Sequence, residues 1–314
     1  MVHRSAHWPD IPYGRWKETG ASLHMWSQIV GKFKLANTPW VNHSWHATLY
    51  VNGRGLTTGP VEGDPHGYEV IFDFVDHRLV IQTTDGRTTG FALEAMSVAD
   101  FHARFTQALE TLGAPTAFHH APNEVPDPVP FRNQTAPGAY DSGAARDFWQ
   151  ALVAIQTVFS RFRTGFLGKV SPVHLFWGSF DLAVTRFSGR TAPLHPGGFP
   201  ALPDTVTQEA YSHEVSSAGF WPGGGGIDEP CFYSYAYPTP DRFSKAAAAP
   251  DAATFHDGLG EFILPYEAVR TAADPGVALM AFLQSTYDAA ADLAKWDRTA
   301  LDCEIGVPGI PRAL

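Results

Sequence analysis

Asp181 stands in a run of sixteen residues from Ser171 to Arg186, SPVHLFWGSFDLAVTR, that is otherwise largely aliphatic and aromatic. A carboxylate in such surroundings is costly unless it is paired or hydrogen-bonded. It is therefore either half of a structural ion pair, with Arg186 or Arg190 as partner, or an acid/base group whose pKa burial moves toward neutrality. His174 in the same run and His213-Glu214 further on supply more proton-transfer side chains, so Asp181, His213, Glu214 and His174 are the catalytic candidates. Trp177 would share the floor of a ligand site with Asp181 and His174, His213 and Glu214 would stand in its wall with the tyrosine strand, and Ser179 and Arg186 are further ligand-binding candidates. In the segment Cys231 to Tyr237, an extended chain puts Tyr233, Tyr235 and Tyr237 on one side. That makes a flat amphipathic wall, or a surface tyrosine ladder between strands. Phe220-Trp221 precedes Gly223-Gly224-Gly225-Gly226 and could close over a cleft on that glycine hinge.

Histidine with carboxylate also suits zinc or iron. The candidate ligands are His43 and His46, His174, and His213-Glu214. On a strand, however, His43 and His46 would face opposite sides, as would His213 and Glu214. No His-Glu-x-x-His occurs. A metal-dependent enzyme therefore stays open only as a site drawing His174, His213 and Asp181 from different strands, and no cofactor is specified. Neither cysteine, Cys231 nor Cys303, carries a nucleophile signature or zinc spacing. There is no Gly-x-Ser-x-Gly elbow, and the glycine run lacks the Lys-Ser/Thr of a phosphate loop.

The elements that must position these groups are read from periodicity. Leu23, Trp26, Ile29, Val30 and Phe33 predict a helix over about Trp16–Leu35. Ser44–Val51, Tyr68–Phe74, Arg78–Thr83 and a stretch near Phe91 predict strands, with a turn at Asp85-Gly86-Arg87. Ser97 predicts a helix start, and Gly113 ends the stripe Phe101, Phe105, Leu109, Leu112. The second half repeats the plan. It has a helix over Ser142–Phe166, the Ser171–Arg186 run as one long strand, strands at Tyr211–Ser217, Phe232–Tyr237 and Glu261–Leu264, and a helix from Asp274-Pro275 to about Trp296. Between the halves, Pro122 to Phe131 carries four prolines in ten residues and reads as an extended connector.

These patterns predict an α+β fold of two related halves, each an antiparallel sheet flanked by helices, over residues 1–121 and 141–314, joined by a proline-rich connector at 122–140. Phe33–Pro39 resembles Phe166–Pro172, and Trp45 to Arg54 resembles Trp177 to Arg186, as expected of a duplication about a pseudo-twofold axis. On that alignment Leu49 is replaced by Asp181 at a position that symmetry makes apolar. A cleft between such halves is a natural ligand site.

At 314 residues with 44% hydrophobic and 17% charged residues, the chain is long enough for two cores. Nine Trp and 22 Phe point to an aromatic core or an aromatic-lined pocket. A net charge of −10 disfavours nucleic acid as a partner, since phosphate binding needs clustered Lys and Arg. No apolar run reaches membrane-spanning length and Met1–Asp10 lacks a signal-peptide core, so a soluble protein in the reducing cytoplasm is expected.

His7-Trp8-Pro9, Pro39 to His46, Phe74-Val75-Asp76-His77, Asn123 to Pro128, the Ser171–Arg186 run and Tyr211 to Gly224 together resemble a bacterial family catalogued only as a domain of unknown function. The resemblance extends from Trp8 to about Trp296. It implies no activity, cofactor or partner. The residues themselves favour a small-molecule-binding protein, and an enzyme if Asp181 or His213 titrates near neutrality. The alternatives are the metal-dependent enzyme and a non-catalytic interaction module, such as a homodimer, with a flat apolar patch and no enclosed pocket.

Overall fold

The structure is a computed structural model and describes residues 7–312, so part of the Met1–Asp10 segment lies outside the described residues. The chain first forms α1 (Tyr13–Ala36), β1 (Tyr50–Val51), β2 (Gly55–Thr57), β3 (Tyr68–Asp73), β4 (Arg78–Thr83), β5 (Thr88–Ala92) and α2 (Val98–Leu112). There follow α3 (Ser142–Arg163), β6 (His174–Phe176), β7 (Asp181–Thr191), α4 (Asp204–Ala210), β8 (His213–Trp221) and β9 (Cys231–Tyr237). β10 (Thr254–His256), β11 (Glu261–Pro265), α5 (Tyr266–Arg270), α6 (Pro275–Leu293) and α7 (Arg298–Leu301) complete it.

Local chemistry accounts for the helix ends. Ser97 Oγ accepts the Asp100 N–H at 3.0 Å to start α2, and Gly113, at φ 71°, ends it in the left-handed region. Asp141 caps α3 through the Ala144 N–H, and Asp274 caps α6 through the Val277 N–H, with Pro275 in the first turn where no N–H is needed. The apolar stripes of α1, α2 and α3 are buried, among them Trp26, Phe33, Phe101, Phe105, Phe148 and Phe159.

The fold is α+β. One antiparallel sheet has five strands in the order β1-β2-β3-β4-β5, and the other has six in the order β10-β11-β9-β8-β7-β6. Their edges meet where Leu49 and Leu175 exchange both backbone hydrogen bonds, at 2.9 and 2.8 Å. Trp177 Nε1 adds a hydrogen bond to the Ala47 carbonyl at 2.7 Å, so the junction is held by side chain and backbone together.

Two strands expected from alternation are absent as such. Ser171–Arg186 is a hairpin, β6 turning through Trp177-Gly178-Ser179-Phe180 into β7, with Phe180 at φ 61° donating its N–H to the Phe176 carbonyl at 2.8 Å. Ser44–Val51 pairs only at its end, because His43 and Ser44 take φ of 61° and 57° and turn the chain through a short 3-10 segment. Leu49 bridges the two sheets, whereas Asp181 opens β7.

The six-stranded sheet is two-faced. Leu182, Val184, Ala218, Phe220, Phe232 and Leu264 are buried on the side where α3 and α6 pack. Arg186 belongs to this back face, since alternation along β7 sets it opposite Asp181. Its guanidinium lies 3.5 Å from the Phe162 ring centroid and 4.3 Å from that of Tyr287, and Nη2 donates to the Phe162 carbonyl at 2.5 Å. The expected ligand-binding role is thus corrected to a core role, with its charge stabilised by ring faces. Arg186→Ala should lose about 3 kcal/mol in urea unfolding, from a desolvated cation–π contact and a charged hydrogen bond. Arg186→Met, which keeps the packed stem, should lose less.

Candidate active site

The front face of the same sheet carries no long helix and bounds a cavity of about 850 Å³. β7 offers it Asp181, Ala183, Thr185 and Phe187; β8 offers Val215, Ser217 and Trp221; β9 offers Tyr233, Tyr235 and Tyr237; β11 offers Glu261 and Ile263. Within each set the residues share the parity of one strand face, and Ala236 of β9 also reaches the lining. The roof comes from elsewhere: Lys32 on α1, Trp40 to Ala47, Asn123-Glu124 of the connector, and Phe199 to Ala210 including α4.

Hydrogen bonds hold the roof down. Trp40 Nε1 donates to Glu209 Oε2 at 2.6 Å, and the Glu124 N–H donates to the Pro200 carbonyl at 2.8 Å. His43 lies 2.7 Å through Nδ1 from the Ala210 carbonyl and 2.6 Å through Nε2 from Lys169 Nζ. The carbonyl can only accept, so the hydrogen sits on Nδ1, and Nε2 accepts from the ammonium. From α1, Gln28 reaches the connector: Nε2 donates to the Asn123 carbonyl and Oε1 accepts the Asn123 N–H, both at 2.8 Å. One turn on, Lys32 donates to Asn123 Oδ1, and one turn back His24 Nε2 meets the Gly178 carbonyl at 2.7 Å. His24, Gln28 and Lys32 thus use one polar line on α1 to fix the connector and the β6–β7 turn.

Asp181 is 6% exposed. Ser179 Oγ donates to its Oδ1 at 2.5 Å and the Tyr233 hydroxyl donates to its Oδ2. Burial pushes the Asp181 carboxyl above the ordinary range, with the two hydroxyl donors pulling the other way. Burial beside that carboxylate also drives the Tyr233 hydroxyl well above its usual value, so it stays a donor. The contact needs Gly219, where a Cβ would stand 2.3 Å from the Tyr233 hydroxyl. Tyr235 and Tyr211 share a 2.7 Å hydroxyl–hydroxyl bond, and Thr185 and Ser217 one of 2.8 Å.

Two further carboxyls line the cavity. Burial and then the Asp181 charge raise both Glu124 and Glu261 to about 7. Lys32, 4% exposed and 5.5 Å from the Trp177 ring centroid, is lowered to about 8 by burial. Glu124 sits where a side chain on Gly178 would be, since a Cβ there would lie 2.0 Å from its Oε1. The cavity therefore holds three carboxyls against one nearby ammonium.

Of the residues expected from sequence, Asp181, Trp177, Ser179, Trp221, Tyr233, Tyr235 and Tyr237 come together on this cavity, and His43 joins them in its roof. The others do not. His174 has no exposure and no hydrogen bond to either ring nitrogen, and it sits behind Trp45 and Phe176; burial drops it to about 3, which keeps it neutral. His213 touches Ser212 and stands 6.5 Å from the His43 ring, off the lining. Glu214 accepts from Arg190 Nη2 at 2.6 Å and Ser188 Oγ at 2.9 Å, in a peripheral ion pair. Phe220 is on the back face against Phe232 and Tyr266. It cannot act as a lid, because β8 fixes it in the core. Among the described residues no three His, Cys, Asp or Glu side chains group in a way that could hold a metal ion. Both cysteines are free, and burial pushes Cys231 up to about 12, leaving a protonated, inert thiol.

Residues 8–303 match a family described as a family of unknown function, DUF5996. The chain belongs to that family. No curated protein and no solved structure matches it.

The DUF5996 chain hides some of its site from sequence reasoning. Glu124 lies among prolines that read as linker, and Glu261 begins a short strand. Only the i, i+4, i+8 line of His24, Gln28 and Lys32 on α1 signals a polar interior.

Raised carboxyl pKa values have a stability consequence. Below about pH 4.5 Glu261 is protonated whether the chain is folded or not. As pH rises toward 7 the unfolded chain ionises first, so the unfolded state gains stability and the penalty is complete above 7. Glu261→Gln should therefore raise Tm at pH 8 and leave it nearly unchanged at pH 4, in parallel melts. Gly219→Ala should displace Tyr233 and cost about 2 kcal/mol in urea unfolding, from overpacking and a lost charged hydrogen bond.

Proposed function

We propose that this protein binds a small organic molecule in the cavity between the front face of β7, β8 and β9 and its roof, and that Asp181 exchanges a proton with it. The observation that carries this reading is the Asp181 carboxyl itself, buried at the cavity and held by Ser179 and Tyr233. Both hydroxyls donate, so they favour the carboxylate while burial favours the acid. A group balanced in this way can take a proton from a bound ligand or return one. The hydroxyl bonds also fix its orientation, as proton transfer requires.

The cavity has the volume of small-molecule sites and a mostly apolar, aromatic wall with a few convergent polar groups. An interaction module needs no such concave space, and the acidic balance of the chain favours a small ligand over nucleic acid. No described helix is long and apolar enough to cross a membrane, and two free cysteines fit a reducing, cytoplasmic setting.

Crystals soaked with a diverse fragment library should show fragments seated over Asp181 and the tyrosine row of β9. Ala183→Phe, which fills the floor beside Asp181, should exclude them. Fragments found only at other surfaces, or unaffected by Ala183→Phe, would overturn the reading.

A further inference from the structure

The cavity's own hydrogen-bonding groups are unevenly spent. Tyr233 and Ser179 give their hydrogens to Asp181, Tyr235 and Tyr211 bond each other, Thr185 and Ser217 do the same, and Lys32 is engaged by Asn123. The carboxyls of Glu124 and Glu261 make no hydrogen bond or ion pair with any described residue, although both line the cavity. Among its charged groups, what the cavity leaves unpaired is therefore acceptor capacity. Uncharged donors remain as well, since Ser44 Oγ and Thr207 Oγ1 line the cavity without a partner, but only a cation both hydrogen-bonds and neutralises a carboxylate. An ammonium supplies up to three donors and no acceptor.

Charge points the same way. Burial and the Asp181 charge act on both Glu124 and Glu261, with Lys32 a counter-charge near Glu124, so an unliganded cavity keeps protons on its carboxyls or tolerates repulsion. An incoming cation relieves that repulsion and displaces those protons. The remaining wall is aromatic, including Trp45, Trp177 and Trp221, and ring faces attract organic cations as well as apolar bodies.

We propose, resting on the reading of this cavity as a ligand site, that its ligand is an organic amine with an apolar or aromatic body, bound as the cation with its ammonium at Glu124 and Glu261. The carboxyls are the acceptors for its N–H groups, and the rings hold its body. Binding near pH 7 releases protons from the carboxyls to solvent. Asp181, held by its two hydroxyls, stays available for proton exchange with the bound amine.

Titration calorimetry of the full chain at pH 7 with three probes sharing one ring system tests this: tryptamine (cation), tryptophol (neutral) and indole-3-acetate (anion). Tryptamine should bind at least about tenfold more tightly than tryptophol, the effect expected of one charge-assisted hydrogen bond, and indole-3-acetate should be weakest. Tryptamine heats measured in two buffers of different ionisation enthalpy should show net proton release. Glu124→Gln with Glu261→Gln, checked for folding by thermal melt, should bring tryptamine down to the tryptophol level and leave tryptophol unchanged. Tryptophol or indole-3-acetate binding as tightly as tryptamine would overturn the amine assignment and leave the cavity reading standing, provided Ala183→Phe removes that binding. No binding by any probe at millimolar concentration, or binding that Ala183→Phe does not touch, would overturn both.

Discussion

The side-chain amide of Gln28 and the peptide of Asn123 are joined by two hydrogen bonds of 2.8 Å, and the roof of the cavity depends on that pair. A proline-rich connector has few backbone donors with which to fix itself. Here its path is set by a neighbouring helix that satisfies both backbone groups of one residue. With Asn123 fixed, its side chain takes the Lys32 ammonium and Glu124, at φ 59°, is turned under the β6–β7 hairpin beside Gly178. His24 grips that hairpin from the same face of α1. One helix face therefore orders the connector, the turn that presents Asp181, and two of the charges around it.

The second organising constraint is the asymmetry of the six-stranded sheet. Its back face is covered by α3 and α6, whose Phe and Leu side chains make an ordinary core. Its front face is covered by turns, short segments and the end of α1, which leave space. A sheet with a covered and a partly vacant face must carry side chains that tolerate both states. The alternating Tyr233, Tyr235 and Tyr237 do so by pairing an apolar ring with a polar tip. Glycine at 219 then lets a tyrosine ring lie flat on the sheet and reach Asp181. Cavity, tyrosine row and buried carboxyl share one geometric cause.

Much of the fold was legible because burial leaves a periodic trace. The stripes of α1, α2, α3 and α6, the Ser97 and Asp274 caps and most strands lie where spacing places them. The β6–β7 turn was not legible, since Trp177-Gly178-Ser179-Phe180 lies inside a run that is apolar on both faces and nothing local marks Phe180 for a positive φ. Placement by proximity in sequence misassigned Arg186 and Phe220, which alternation sends to the back face, and His174, which Trp45 and Phe176 seal off. Glu124 and Glu261 were invisible for another reason. Their roles come from long-range convergence on Asp181, which one-dimensional patterns do not carry. The tyrosine row and Asp181 were readable because strand parity alone sets their side.

A carboxyl-¹³C NMR titration of the Asp and Glu side chains tests most directly whether Asp181 sits in a dry cavity shared with two further acids. Asp181 should titrate above the ordinary aspartate range, and Glu124 and Glu261 near 7, apart from the surface carboxyls. If all three titrated with the surface groups, the cavity would be open to water and these carboxyls would have no special chemistry.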